Sequence, residues 1–414
     1  MRPLSSGRLI ERPALRRPSG RDVAGDFGTT YAVNGLIGLV FATTGPLAII
    51  LAVGTRGGLS QAELASWIFG SYALSGVLTV IASWVYRQPL SFFWTIPGTV
   101  LVGPALDHLS WAEVVGAFLA TGVLMLLLGL TGWVRRVMDL LPMPIVMAMV
   151  AAVFLRFGID LVLALVDDPV VAVPMVVAFL ALSTYAALSR RIPPILGALV
   201  VGAVAVALAG SFDPAAGGTT WLVQPVFTTP DFSWPAMVEL VVPLAITVLV
   251  VQNGQGVAVL RQAGHEPPVN AITIGCGAWS VMSALVGAVS TCLTGPTNAL
   301  LTASGERSRH YTAGIFCGVL AIVFGVFAPL FTGLMLATPT AFIATLGGLA
   351  MLRALQGSFV TAFAGRFTLG ALVTFLVTVA DVQVLNIGAA FWGLVAGYLV
   401  SRLMEPDDFH QHRP

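Results

Sequence analysis

Apolar residues in this chain do not alternate with polar ones. They run together in long stretches closed by arginine, proline, glycine or an acid. Fourteen such segments can be marked, at 31–53, 61–85, 91–106, 112–133, 142–159, 169–188, 193–210, 236–260, 268–288, 290–303, 311–335, 338–356, 366–382 and 385–403. Many reach the roughly 20 residues a helix needs to cross about 30 Å of hydrocarbon. Inside lipid only an element that satisfies its own backbone polar groups is tolerated. The pattern therefore predicts an all-α polytopic membrane protein of about fourteen transmembrane segments. Segments three and ten are too short for ordinary straight spans, and each contains a proline–glycine break.

The polar punctuation sets an orientation. Arg87 follows segment two, Arg135 and Arg136 segment four, Arg190 and Arg191 segment six, and Arg261 segment eight. Arg307 and Arg309 follow segment ten, Arg366 segment twelve and Arg402 segment fourteen. Odd-numbered exits hold few arginines, Arg56 and Arg156 among them. By the positive-inside rule both termini are expected in the cytoplasm and the number of spans is even. Residues 1–30 carry Arg2, Arg8, Arg12, Arg16, Arg17 and Arg21 and read as a disordered cytoplasmic tail. A twin-arginine signal is disfavoured, since Pro18 follows the pair and no short apolar region with a cleavage site comes next. Residues 405–414 read as a second cytoplasmic tail. The connector 211–235, rich in Pro, Gly and Thr, is expected outside the cytoplasm. It divides the chain into seven segments over 31–210 and seven over 236–404.

The two halves echo each other. Pro97 and Pro296 are 199 residues apart, and Pro142 and Pro339 are 197 apart. Arg156 lies fourteen residues after Pro142, and Arg353 fourteen after Pro339. Seven spans per half place the halves in opposite orientation, so the expected relation is an inverted repeat about an axis in the membrane plane.

The breaks themselves, "SFFWTIPGTVLVGP" and "STCLTGPTNALL", put extended-prone residues before a proline that suits a helix's first turn. Each predicts a short strand turning at mid-membrane into a half-helix. Two half-helix N-termini facing one another carry open N–H donors and partial positive charge, which suits an anion. A proline kink packed against its neighbours is the competing reading of a single break; recurrence at matched positions favours the paired site.

Composition narrows the function. Hydrophobic residues make up 57% and charged residues 9%, against roughly a quarter charged in soluble domains. Net charge is +1 and all basic residues are arginine, with no patch that suits nucleic acid. Cys276, Cys292 and Cys317 fall inside apolar runs without metal or disulfide spacing. No nucleophile–base pair, metal cluster or phosphate-binding loop suggests an enzyme, an ATP-driven pump or a cofactor. A secondary transporter leads, with a channel as the alternative of another class.

"YRQPLSFFWTIPGTVLVGPAL", "VQNGQGVAVLRQAGHEPPVN" and "TGPTNALL" resemble the BenE family of benzoate:proton symporters, over about residues 35–403. That family is similar in architecture to nucleobase permeases of the uracil-transporter type and to sulfate-permease anion transporters. The resemblance implies core and gate domains, with spans one and eight flanking the substrate. It implies import of benzoate or a similar aromatic carboxylate with protons across the inner membrane. A same-fold permease for a nucleobase or an inorganic anion such as sulfate is the alternative, and a homodimer is among the assemblies allowed.

Carried over by position, the substrate-binding candidates are Thr44 in span one, Phe93, Trp94, Gly98 and Thr99 in span three, Gln252, Asn253 and Gln255 in span eight, and Gly295, Thr297 and Asn298 in span ten. The nucleobase relatives carry glutamates near Gln252 and Pro296. Their absence here argues for an anionic substrate and leaves the proton-coupling group open. Asp381, a carboxylate inside an apolar stretch, is the coupling candidate. Arg156 and Arg353 read as end-of-helix or interfacial anchors rather than substrate ligands; Asp107, His108, Asp160, Asp167 and Asp168 read as solvated loop charges on the outer side. Cys292, three residues before Gly295, is expected to border the cavity.

Overall fold

The computed structural model describes residues 10–13, 16–132, 134, 142–184, 194–213, 220–382, 384, 387 and 389–410. Arg135, Arg136, Arg190 and Arg191 lie outside them. Among the described residues, seven helices are long and apolar enough to cross a membrane: Thr29–Arg56, Gln61–Tyr86, Trp111–Thr131, Met143–Asp167, Trp234–Gln262, Arg307–Val326 and Thr340–Phe363. Six shorter apolar helices accompany them: Ile96–Ala105, Pro169–Thr184, Pro194–Ala209, Val269–Ala284, Thr368–Ala380 and Ala389–Met404. With the seven-residue helix Gly295–Leu301, these fall on the fourteen apolar segments, whose numbers are kept below.

Segments two and four open on matching capping boxes. Ser60 and Glu63 reciprocally bond the first, and Ser110 and Glu113 the second, so two orphan N–H groups are satisfied at each end. Segments two and eight contain π-helical turns, at Gly70–Leu74 and at Met237–Val241 and Thr247–Gln252. Such turns shift the side-chain register of a helix and frequently mark functional positions.

The packing is pairwise. Segment four lies on nine, two on eleven, six on seven, thirteen on fourteen, and five on twelve. Glycines let backbones touch. A Cβ on Gly76 of segment two would meet the Gly318 carbonyl oxygen at 2.7 Å, and one on Gly318 would meet that of Gly76 at 2.8 Å. Close approach through small residues is how membrane helices gain dispersion contacts without a hydrophobic drive between them.

Three boundaries differ from expectation. Segment five runs to Asp167 and segment twelve to Phe363, so Arg156 and Arg353 sit inside helices rather than at their ends. Each lines a cavity, where an arginine need not end a helix to reach a polar surround. Segment eleven breaks at Phe327 into His310–Val326 and Ala328–Leu336, with Pro329 in the first turn of the second piece.

The tails also depart from expectation. The described part of 1–30 is ordered: Ser19 caps a helix over Gly20–Asp26, and Asp26 pairs with Arg87 at 3.0 Å. Both Glu11 carboxylate oxygens accept from the first-turn N–H groups of segment nine, Asn270 and Ala271, at 2.9 Å each. A carboxylate at a helix N-terminus meets open donors and favourable dipole charge, which ties down a stretch whose composition suggested disorder. Glu405 does the same for segment thirteen, bonding the N–H groups of Leu369 and Gly370, and a helix over Pro406–His410 follows.

Candidate functional site

The two breaks meet. Phe92–Trp94 forms strand β1, Thr291–Leu293 forms β2, and they pair antiparallel with Phe93 opposite Cys292. Outside the strands, the Thr95 N–H donates to the Ser290 carbonyl at 3.0 Å and the Thr294 N–H to that of Ser91 at 3.1 Å. Residues 199 apart in sequence thus exchange equivalent bonds about a local two-fold at the Phe93–Cys292 pair.

A two-stranded ribbon leaves its outer edges unpaired, which is costly away from water. Neighbouring side chains close them. Thr79 Oγ1 accepts from Phe92 N–H at 2.8 Å and donates to its carbonyl at 3.1 Å. Ser280 Oγ accepts from Thr291 N–H at 2.9 Å, and Asn253 Oδ1 from Leu293 N–H at 2.7 Å. Asn298 is committed in the same way. Its Oδ1 accepts from Ser91 N–H at 3.0 Å; its Nδ2 donates to the carbonyls of Ser91 at 3.1 Å and Thr294 at 2.6 Å.

Each strand leads into a helix start on the wall of a cavity of about 1010 Å³. The two starts are not equivalent. Thr95 Oγ1 accepts from Gly98 N–H at 3.2 Å and so caps segment three. Thr294, its counterpart, makes no side-chain cap, which leaves the first turn of segment ten without that acceptor. Donors for an anion therefore concentrate on segment ten.

Of the residues singled out in the sequence, Phe93, Trp94, Gln252, Gln255 and Thr297 line this cavity, joined by Pro97, Thr294 and Pro296. Trp94 is 2% exposed, and its indole N–H has no hydrogen-bond partner among the described residues. Tyr72 packs on it at 4.6 Å between ring centroids, and Phe93 stands perpendicular to it at 6.1 Å. Gly295 has a local reason to be glycine: a Cβ there would meet Gln255 Cδ at 2.7 Å, so its absence lets the glutamine lie over the helix start.

The other candidates with described side chains do not line the cavity. Asn253 and Asn298 hold the ribbon, and Thr99 Oγ1 donates to the Thr95 carbonyl at 3.0 Å. Gly98 accommodates segment eight, since a Cβ would meet Leu244 Cδ2 at 2.8 Å. The Thr44 side chain lies outside the described residues. Cys292 is fully buried and is not part of the cavity wall, contrary to expectation, because it sits within the ribbon beneath the helix start.

Arg353, read from sequence as an anchor, is the one charged residue on the described wall of this cavity. Its Nη1 donates to Gln356 Oε1 at 3.0 Å. Its mark in the sequence is the position fourteen residues after Pro339, matched by Arg156 after Pro142; the continuation of the helix to Phe363, which makes it mid-helix, is seen only in the structure.

A second cavity, of about 360 Å³, lies farther along the same segments. Segment one contributes 41–46 to the first and 52–56 to the second, segment five 143–154 and 152–163, segment eight 250–255 and 239–240. Asp381 lines this second cavity, exposed at the left-handed C-terminus of segment thirteen, apart from the ribbon. Arg156 and Asp160 line it too. Sequence reading missed Glu239, which is 5% exposed and bonded to His108 Nε2 at 2.8 Å. A carboxylate three residues after the start of segment eight was the legible signal. His108, taken as a solvated loop charge, is 11% exposed in that pair.

Known proteins share both sequence and shape. The profile of BenE, described as "Benzoate membrane transport protein", matches residues 25–403. The chain is 29% identical over 387 residues to "Inner membrane protein YdcO" of Escherichia coli, covering 89% of this chain and 95% of that protein. It is 26% identical over 381 residues to the "Benzoate membrane transport protein" of Acinetobacter baylyi, covering 90% and 95%. Among solved structures, the transmembrane domain of a cyanobacterial bicarbonate transporter, BicA, superposes with a TM-score of 0.58 at 15% identity, over 90% of this chain and 98% of that one. SLC26A9 superposes with a TM-score of 0.65 at 13% identity, over 90% and 64%. These last two show a shared fold. With the profile spanning nearly the whole chain, the protein belongs to the BenE family of membrane transport proteins.

Proposed function

We propose that this protein imports benzoate, or a similar aromatic carboxylate, with protons by alternating access, as a multi-pass protein of the inner membrane. The observation that carries the reading is the shared cavity wall: an uncapped helix start at Thr294–Thr297, the amides Gln252 and Gln255, and the aromatic pair Phe93 and Trp94. Donors meet the carboxylate and rings meet the ring. A volume of about 1010 Å³ walled by Phe, Trp, Met and Val suits an aromatic acid better than a small inorganic anion. The name of the Acinetobacter relative points the same way.

The fourteen segments form two inverted repeats of seven, 31–210 and 236–404. Two things support this: the two-fold exchange of bonds at the ribbon, and the packing, in which four on nine is matched by two on eleven and six on seven by thirteen on fourteen. Both termini lie in the cytoplasm. The connector reaches Ser66, Ala112, Val326 and Ala337, at the starts of segments two and four and the ends of segment eleven's two pieces, all expected on one face. The N-terminal stretch reaches the opposite ends, at Trp84, Asn270 and Arg309. In this orientation the larger cavity faces the cytoplasm and the smaller the exterior, so the arrangement is inward-facing. The substrate shifts between the two cavities past the ribbon as segments five to seven and twelve to fourteen move against the rest.

Labelled benzoate uptake into proteoliposomes, competed by uracil or sulfate, tests the substrate. Protein-free vesicles are an essential control, because neutral benzoic acid crosses lipid unaided. Saturable uptake that benzoate analogues compete and uracil and sulfate do not is expected; competition by uracil or sulfate alone overturns the assignment. Cytoplasm-specific reporters fused after Arg402 and within 215–219 should be active and silent respectively.

A further inference from the structure

His108 and Glu239 form a pair that the site described above does not use. Glu239 lies in a π-helical turn of segment eight, in the wall of the smaller cavity. His108 follows segment three, in the loop before Ser110. Their side chains are 11% and 5% exposed, and Nε2 stands 2.8 Å from the carboxylate. The pair therefore ties together the far ends of the two segments that supply Phe93, Trp94, Gln252 and Gln255 to the larger cavity.

We infer that His108 and Glu239 together are the proton-binding site of transport, loaded from the smaller cavity. The inference rests on the symport reading above and names its coupling group. A buried ionisable group in a membrane protein is expensive and is retained for a reason. This pair gains one proton in going from neutral imidazole and carboxylate, with net charge −1, to a net-neutral pair. When the cavity is open to water, either state is solvated. When it closes, burial favours the neutral pair, so the proton is carried rather than returned.

The surrounding charges do not replace it. Asp107, at the end of segment three, pairs with Arg56 of segment one at 3.0 Å. Glu113 of segment four is held by the Ser110 N–H and hydroxyl at 2.8 Å each. Arg156 and Asp160 of segment five and Asp381 of segment thirteen line the same cavity. An arginine there favours the deprotonated pair, which supplies a means of release when the wall approaches. Asp381 and Asp160 are exposed or half-exposed and keep access to solvent protons in any state, which suits them poorly to carrying one across.

The test uses purified, detergent-solubilised protein in weak buffer at pH 7, following proton uptake and tryptophan fluorescence as benzoate is added. The unmodified protein should take up about one proton per benzoate bound. Glu239→Gln should bind benzoate within a few-fold of the native affinity and take up at least fivefold fewer protons. His108→Gln, which removes one of the two groups that share the proton, should show the same loss and is read alone if Glu239→Gln does not fold. Undiminished proton uptake in either folded variant overturns the assignment. Benzoate binding without proton uptake by the unmodified protein instead overturns the symport reading, and absence of benzoate binding overturns the substrate.

Discussion

Replacing Asn298 by alanine separates two roles that one asparagine beside a helix start can have. The structure commits its carboxamide to three bonds, with Ser91 N–H, the Ser91 carbonyl and the Thr294 carbonyl. Both carbonyls keep another donor after truncation, from the N–H groups of Thr294 and Asn298. The Ser91 N–H does not, and Ser91 is fully buried. An orphaned buried donor costs about 1–3 kcal/mol, and each further bond lost about 1 kcal/mol net, which comes to about 4 kcal/mol. With about 2.1 cal/mol/K of unfolding entropy per residue, this corresponds to a fall in Tm of about 5 °C. Thermal unfolding in detergent, followed by intrinsic fluorescence, should show that fall, while benzoate affinity of the folded fraction stays within about twofold. Native stability together with a tenfold loss of affinity would refute the reasoning and return Asn298 to the substrate.

The remaining predictions concern the cavity, the thiol and pH. Trp94→Phe keeps an aromatic face but removes the unpartnered indole N–H and leaves a small void, so benzoate affinity measured by equilibrium binding should fall about fivefold, the size of about 1 kcal/mol, with a modest fall in Tm. Arg353→Gln should weaken benzoate binding at low salt and flatten its salt dependence, since Arg353 is the charged residue on the described cavity wall; an unchanged salt slope excludes that role. Cys292 should resist a small thiol reagent in a variant lacking Cys276 and Cys317, with transport intact, because it is fully buried; rapid modification would show that the ribbon opens. Burial, then the His310 ring and Arg307, push the His265 imidazole down to about 4. Because the unfolded chain binds the proton from about pH 6.5 downward and the folded one does not, stability should fall as pH drops from 6.5 towards 4, by at most roughly 3 kcal/mol. His265→Asn should remove that part of the slope in Tm measured against pH.

Much of the architecture is legible in the sequence because lipid imposes a local rule. A segment that crosses must be apolar along its own length and must satisfy its own backbone, so the places and approximate ends of the long apolar helices, segments one, four and eight among them, follow from the runs of residues. The breaks at Pro97 and Pro296 were visible for the same reason, as violations of that rule, and the residues beside them, Phe93, Trp94, Gln252, Gln255 and Thr297, line the cavity. What each side chain does was not local. Asn253, Asn298 and Thr99 look like ligands by position, but the ribbon's edges need acceptors and donors, and these are the groups within reach. Cys292 and Trp94 both belong to the paired strands; only the cavity's position decides that one is sealed and the other is on the wall. Glu11 and Asp26 sit in a stretch whose composition says disorder, and the open N–H groups of segment nine and the Arg87 guanidinium, 61 to 260 residues away, order it. His108 and Glu239 are 131 residues apart, one in a loop and one in a span, and no periodicity relates them. Where the chain can enter lipid is written in its apolar runs; which polar groups meet is not, because their partners lie on other segments and come within reach only when those segments pack.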